Sequence, residues 1–151
     1  MNSNSARFGK FLPFRLLKSK AMKSKTTIFL FGAAERGELC LPLYLTSLEQ
    51  VLDFLGNPPE NSEGIRYAVQ ALLYKHALIY FRVAEEGFST EDYIQGLKFL
   101  KQRSLQTTLT AIGMPGVGDQ ELIQSVIPIC HLYQSVLIVS EKDLYDYLTA
   151  K

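Results

Sequence analysis

Carboxylates, histidines, thiols and one glycine-rich turn are the groups in this chain with chemistry to offer. Glu35, Glu85 and Glu86, and Glu141 each follow an apolar, strand-like run, and in an open α/β sheet ligands gather beyond the carboxyl ends of the strands. Carboxylates collected at such an edge support acid/base work or hold a divalent ion. Gly116-Val117-Gly118-Asp119 opens a predicted helix, where backbone N–H groups can cradle a phosphate. No Gly-Lys-Ser or Gly-Lys-Thr follows it, and the glycine spacing is not that of a dinucleotide fingerprint. A turn with an Asp N-cap explains the same residues, and the acid would repel an incoming phosphate. Glu35, Glu85, Glu86, Gly116 and Asp119 thus form the expected pocket of a ligand-binding reading, with solvated loop charge as the plainer one.

His76 falls between a predicted helix and a predicted strand, and His131 adjoins Cys130 near a helix end. Adjacent helical residues point about 100° apart, so Cys130 and His131 are poorly placed as nucleophile and base. Ser47 and Ser140 are accounted for as helix caps or their neighbours. Cys40 and Cys130 have no Cys-x-x-Cys partner, which argues against a zinc site or a disulfide framework and for buried reduced thiols. The residues therefore predict no catalytic set, no cofactor and no metal.

The elements that would position these groups alternate between strand and helix. Thr26–Phe31 and Leu39–Leu45 are β-prone runs joined by a link too short for a crossover helix, so they are expected to run antiparallel if they pair directly. Thr46 and Glu49 suggest a capping box, followed by Leu48, Val51, Leu52 and Leu55 at helical spacing and a stop at Gly56, Pro58 and Pro59. Ile65, Ala68, Val69, Leu72 and Leu73 mark a second helix. Ala77–Val83 reads as a strand covered on both faces, and as the central one.

Ser89 or Thr90 begins a helix whose Tyr93, Ile94, Leu97 and Leu100 point inward, and a strand over Thr107–Ile112 follows. Asp119 caps a helix bearing Leu122, Ile123, Val126 and Ile127, with Pro128 predicted to kink it. Ser135–Val139 is the last strand, and Ser140 with Asp143 opens a terminal helix through Leu144, Tyr145 and Leu148. This alternation predicts a three-layer α/β sandwich: a mixed, mostly parallel sheet of about five strands flanked by helices.

At 151 residues and 47% hydrophobic content the chain suits one compact domain over residues 26–151. Seven of its sixteen basic residues precede the first acid, Glu35, leaving nine against fifteen acids and a remainder near −6. The stretch over residues 1–25 is thus a basic arm on an acidic body, a distribution that favours head-to-tail association. No run reaches the roughly 20 apolar residues of a membrane span. A chain begun at Met22 would imitate a short signal peptide, but its apolar run fits better as the first core strand.

Phe29, Gly32, Ala34, Glu35, Arg36, Gly37, Pro42, Thr46, Ser47, Phe54 and Gly56 fall in the order and density seen at the opening of contractile phage tail sheath proteins, which this stretch resembles. The similarity extends more weakly through Ala68–Val83 and from Thr108 to Val139. The resemblance implies a structural assembly protein, not an enzyme: a sheath-like core or adaptor that engages copies of itself or a related sheath or tube protein. Such a protein would be cytoplasmic, or part of a virion or other contractile injection system assembled in the cytoplasm. Family members are considerably longer, with a further domain and a C-terminal segment that pairs with neighbouring subunits.

Under this resemblance the arm, with Arg7, Phe8, Lys10, Phe11, Phe14 and Arg15, adds a strand to a neighbour's sheet or fills a neighbour's groove. A basic, aromatic stretch also suits nucleic acid or an acidic membrane surface; no base-reading motif accompanies it, and Pro13 interrupts any long helix. The alternative to assembly is a small α/β enzyme or ligand-binding domain using the loops at Glu35, Glu85 and Gly116.

Overall fold

A computed structural model describes residues 26–102, 105 and 108–150; the expected interaction arm lies outside them. The first strand, β1 (Thr27–Gly32), is buried along its whole length, which its run of Ile, Phe and Leu between β-branched threonines and a glycine dictates. It pairs in parallel with β3 (Ala77–Arg82) on one side and with β4 (Leu109–Gly113) on the other, so that Phe29 sits opposite both Ile79 and Ile112. A short β2 (Pro42–Leu45) lies antiparallel against β3, and β5 (Val136–Ile138) lies parallel to β4. The order across the sheet is β2-β3-β1-β4-β5.

Side chains alternate across the pleat, and each face of the sheet has its own core. Phe29, Phe31, Ile79 and Phe81 face α3 (Thr90–Lys101) and α4 (Gln120–Tyr133). Ile28, Leu30, Leu78 and Tyr80 face α1 (Leu48–Leu55), α2 (Gly64–Leu73) and α5 (Glu141–Thr149). The first face is aromatic: Phe31 meets Phe81 at 5.3 Å and Tyr93 at 5.1 Å between ring centroids. Gly96 allows this, because a Cβ there would enter the Phe31 ring.

The three-layer α/β sandwich expected from the alternation is the observed architecture. Several details differ. The centre of the sheet is β1, and β3 is an inner strand beside it, because the chain leaving β3 passes over β1 to form β4. The first two strands do not pair with each other, since β3 stands between them. The first helix is capped by Ser47, not Thr46, with Gln50 completing the box in place of Glu49. Val51 and Leu55 reach the core while Leu48 and Leu52 stay exposed, as a two-turn helix at the sheet margin presents only a narrow stripe. Ile127 and Tyr145 are likewise exposed, whereas Ile129 and Leu144 are buried. Helix α4 continues through Pro128, and Ser140 with Asp143 forms the expected capping box.

Candidate functional site

The connection from β1 leads outward to β3 and that from β4 leads outward to β5 on the opposite side, so the carboxyl ends of β1 and β4 mark the topological switch point where this architecture opens a crevice. Here the chain fills the region with its own groups. Glu86, in the loop after β3, sends its carboxylate to the start of α2. Its Oε1 accepts from the N–H of Ala33 at 2.9 Å and of Gly64 at 3.0 Å, and its Oε2 accepts from the N–H of Glu63. A helix amino terminus carries unpaired N–H groups and partial positive charge, which an anion satisfies. Glu63, at the N-cap position, makes no side-chain cap of its own, and the Glu86 carboxylate supplies the anion that such a helix start accepts.

Two opposing effects act on this carboxyl. Burial raises its pKa, and the three backbone N–H groups lower it; burial prevails, with the Glu63 charge adding to the rise. The geometry around it is closed. The Tyr80 hydroxyl donates to the Ala33 carbonyl at 2.7 Å, and a Cβ placed on Gly32 would stand 2.8 Å from the Gly64 Cα. One residue beyond Glu86, Gly87 has φ +89° and packs so tightly on the β4–α4 loop that a Cβ would lie 2.7 Å from the Gly116 carbonyl oxygen. The Gly87 N–H donates to the Tyr93 hydroxyl at 2.7 Å. Small residues thus draw the loops after β1, β3 and β4 together.

The remaining residues expected at a pocket have separate tasks. Glu35 accepts from the Asn57 N–H at 2.8 Å and lies 3.6 Å from Arg36, while Glu35 and Arg36 both donate backbone N–H groups to the Leu55 carbonyl. The Arg36 guanidinium reaches the Asp53 carbonyl at 3.4 Å, placing positive charge at the carboxyl end of α1. Gly37 has φ +101° and accepts from Arg82, and Pro42 opens β2. Glu85 is exposed in the turn closed by Ser89, and Asp119 caps α4 through the N–H groups of Glu121 and Leu122. Of the five residues expected at the pocket, Gly116 is brought against the Glu85-Glu86 turn through Gly87, while Glu35 and Asp119 are engaged by backbone N–H groups of Asn57 and of α4.

The other reactive groups do not converge either. Cys130 is buried against the aromatic core and His131 is exposed. Cys40 donates to Asp92 at 3.4 Å, and its thiol is pushed up to about 11 by burial, then by the hydrogen bond to Asp92 and its charge. His76 lies at the opposite, amino edge of the sheet, hydrogen-bonded to Thr26 and 5.3 Å from the Tyr147 ring between centroids. Among the described residues no group of three or more His, Cys, Asp and Glu side chains is placed to hold a metal ion, and no helix is long and apolar enough to cross a membrane.

One concave feature escaped the reading of the residues. A groove of about 340 Å³ runs between α2 and α5, with Glu63, Tyr67 and Glu141 at the carboxyl edge and Tyr74 and Leu148 toward the amino edge. Tyr67 is 5% exposed, lines the groove, and donates its backbone N–H to the Glu63 carbonyl at 2.9 Å. Its hydroxyl is pushed up to about 12 by burial first, then by the charges of Glu63, Glu141, Glu86 and Asp143. No family model, no curated protein and no solved structure matches this chain.

Proposed function

We propose that the chain is a structural assembly domain acting through contacts between copies, the role that its resemblance to contractile sheath cores implies. The observation that carries this reading is the placement of exposed apolar side chains at the two opposite margins of the sheet. At the β2 margin, Leu39, Leu48, Leu52 and Phe54 are exposed; at the β5 margin, Ile127, Leu132 and Val136 are. Two different apolar surfaces on opposite sides of one body suit heterologous, head-to-tail contact, which builds rings or open helical arrays. The filled switch point supports the same reading, because the groups that would receive a small ligand are committed to the fold.

Leu52 is 56% exposed and Val136 is 50% exposed, so a lysine at either position leaves the core intact. Light scattering across concentration, with negative-stain microscopy, tests the proposal. The unmodified chain should form growing oligomers, and Leu52→Lys and Val136→Lys should each be monomeric alone. Mixed, the two variants should stop at dimers, since each retains one competent margin. A monomer at every concentration, or growth undiminished in both variants, overturns the reading.

A further inference from the structure

The groove between α2 and α5 lies apart from the filled switch point, and its floor is almost closed to solvent. Ile65, Tyr67 and Leu144 are each at most 5% exposed, and Val69 and Leu148 are half-buried along its length. Tyr74 from α2 and Tyr145 from α5 stand exposed in the same lining. One polar group interrupts the apolar floor. The side-chain hydroxyl of Tyr67, unlike its backbone N–H, has no hydrogen-bond partner among the described residues. Its oxygen is not one of those sealed in the interior, so it opens onto the groove that the residue lines. A phenol buried to this degree ordinarily finds a partner, and here the partner has to come from the groove.

The charges of the lining decide which ligands fit. Arg66, the one cation among the described residues that line the groove, is paired with Glu63 at 3.5 Å. Glu141 stands in the first turn of α5, where the helix field favours an acid. A ligand carboxylate or phosphate would therefore meet acids and no uncommitted positive charge. Among the described residues no group of side chains is placed to hold a metal ion either. A neutral ligand remains. The volume of about 340 Å³ falls at the lower end of small-molecule pockets, about 300–1,000 Å³, which suits a molecule of two fused rings.

We propose that the groove binds a small, neutral, flat aromatic molecule that shares one hydrogen bond with the Tyr67 hydroxyl. The ring system lies along Val69, Leu144 and Leu148, and Tyr74 and Tyr145 add aromatic contact from the two helices. Burial holds the Tyr67 phenol protonated at neutral pH. It can thus donate to a hydroxyl or carbonyl oxygen of the ligand, or accept from its O–H or N–H.

Titrating the full chain into 2-naphthol, and into 2-methylnaphthalene of nearly the same shape, tests the assignment. The chain has no tryptophan, so the anisotropy of each probe's own fluorescence reports binding. 2-Naphthol should bind about fivefold more tightly, the worth of one neutral hydrogen bond, and its anionic analogue 2-naphthoate more weakly than both. Tyr67→Phe should erase the preference for 2-naphthol and leave the binding of 2-methylnaphthalene unchanged, a pattern that a damaged fold would not give. Methyl resonances of Val69, Leu144 and Leu148 should shift on binding; those of Leu52 and Val136, which do not line the groove, should stay. No saturable binding, a preference retained in Tyr67→Phe, 2-naphthoate binding as tightly as 2-naphthol, or shifts at Leu52 or Val136 alone would each overturn the proposal. The outcome is separable from the assembly reading, because a chain monomeric at every concentration can still bind the probe and an assembling chain can fail to.

Discussion

Replacing Glu86 by alanine removes the acceptor that joins the end of β1 to the start of α2. Three N–H groups lose their partner: Ala33 and Gly64, both buried, and Glu63, which is half-buried. A buried donor left without an acceptor costs roughly 1–3 kcal/mol, and one that water reaches costs much less. Two such donors and a partly solvated third come to about 4 kcal/mol. Part of this is offset because the variant no longer holds a carboxylate that burial disfavours, so the expected loss is about 3 kcal/mol.

Urea unfolding followed by far-UV circular dichroism should show the midpoint falling by about 2 M at a slope near 1.5 kcal/mol/M. Hydrogen exchange should show Gly64–Tyr67 opening ahead of the rest of α2. Glu86→Gln keeps one oxygen but turns an NH₂ toward the remaining donor, and should lose about 1–2 kcal/mol. The folded pKa of Glu86 is raised above its unfolded value near 4.3, so the native state binds the extra proton. The stabilisation linked to that proton is full below the unfolded value and is lost as pH rises through the folded one; Glu86→Gln should lack this slope. A loss below about 0.5 kcal/mol in Glu86→Ala would refute the role assigned to the carboxylate.

Gly64→Ala should cost about 3 kcal/mol or prevent folding, because its Cβ would stand 2.7 Å from the Gly32 Cα, backbone against backbone. Gly118→Ala, with nothing within 4 Å of its Cβ, should match or exceed the parent by about 0.5 kcal/mol in the same melt; equal losses in the two variants would contradict the packing described. Gln134 ends α4 in the left-handed region at φ 55° and ψ 45°, so Gln134→Gly should gain about 0.5 kcal/mol, and a loss of thermal stability would count against it. Burial lowers the folded pKa of His76 below its unfolded value near 6.5. The stability of neutral His76 is full above pH ~6.5 and is lost as pH falls through that value toward the folded one. His76→Gln should be less sensitive than the parent to a step from pH 7.5 to about 5.5, and equal sensitivity would refute the assignment.

Local signals were legible where they were strong. The uninterrupted apolar runs at Thr27–Gly32 and Ala77–Arg82 announce doubly covered strands, and the Ser140/Asp143 box fixes the start of α5. Sheet order was not legible, since which neighbour β2 finds depends on where β3 lands, more than thirty residues later. Glu86 was singled out for its charge and its place after a strand. Its actual role required partners 22 and 53 positions away, which no local pattern encodes. The groove was invisible for a similar reason, because its walls come from α2 and α5, which most of the sheet separates in sequence. Leu48 and Leu52 have the spacing of core residues, but spacing cannot report that the sheet ends beneath them.

The glycine pairs at the carboxyl edge bear on how this domain can be altered. In many α/β proteins the loops beyond that edge are where length and composition vary with little cost to the scaffold. Here Gly32 meets Gly64, and Gly87 meets Gly116, so lengthening any of these loops would part backbones that now touch. Tolerance for inserted sequence is therefore displaced to the exposed positions of the turn around Asn57–Asn61. Fusion partners, epitope tags and randomised peptides belong at those sites, and a library built on the conventional edge would chiefly sample chains that do not fold.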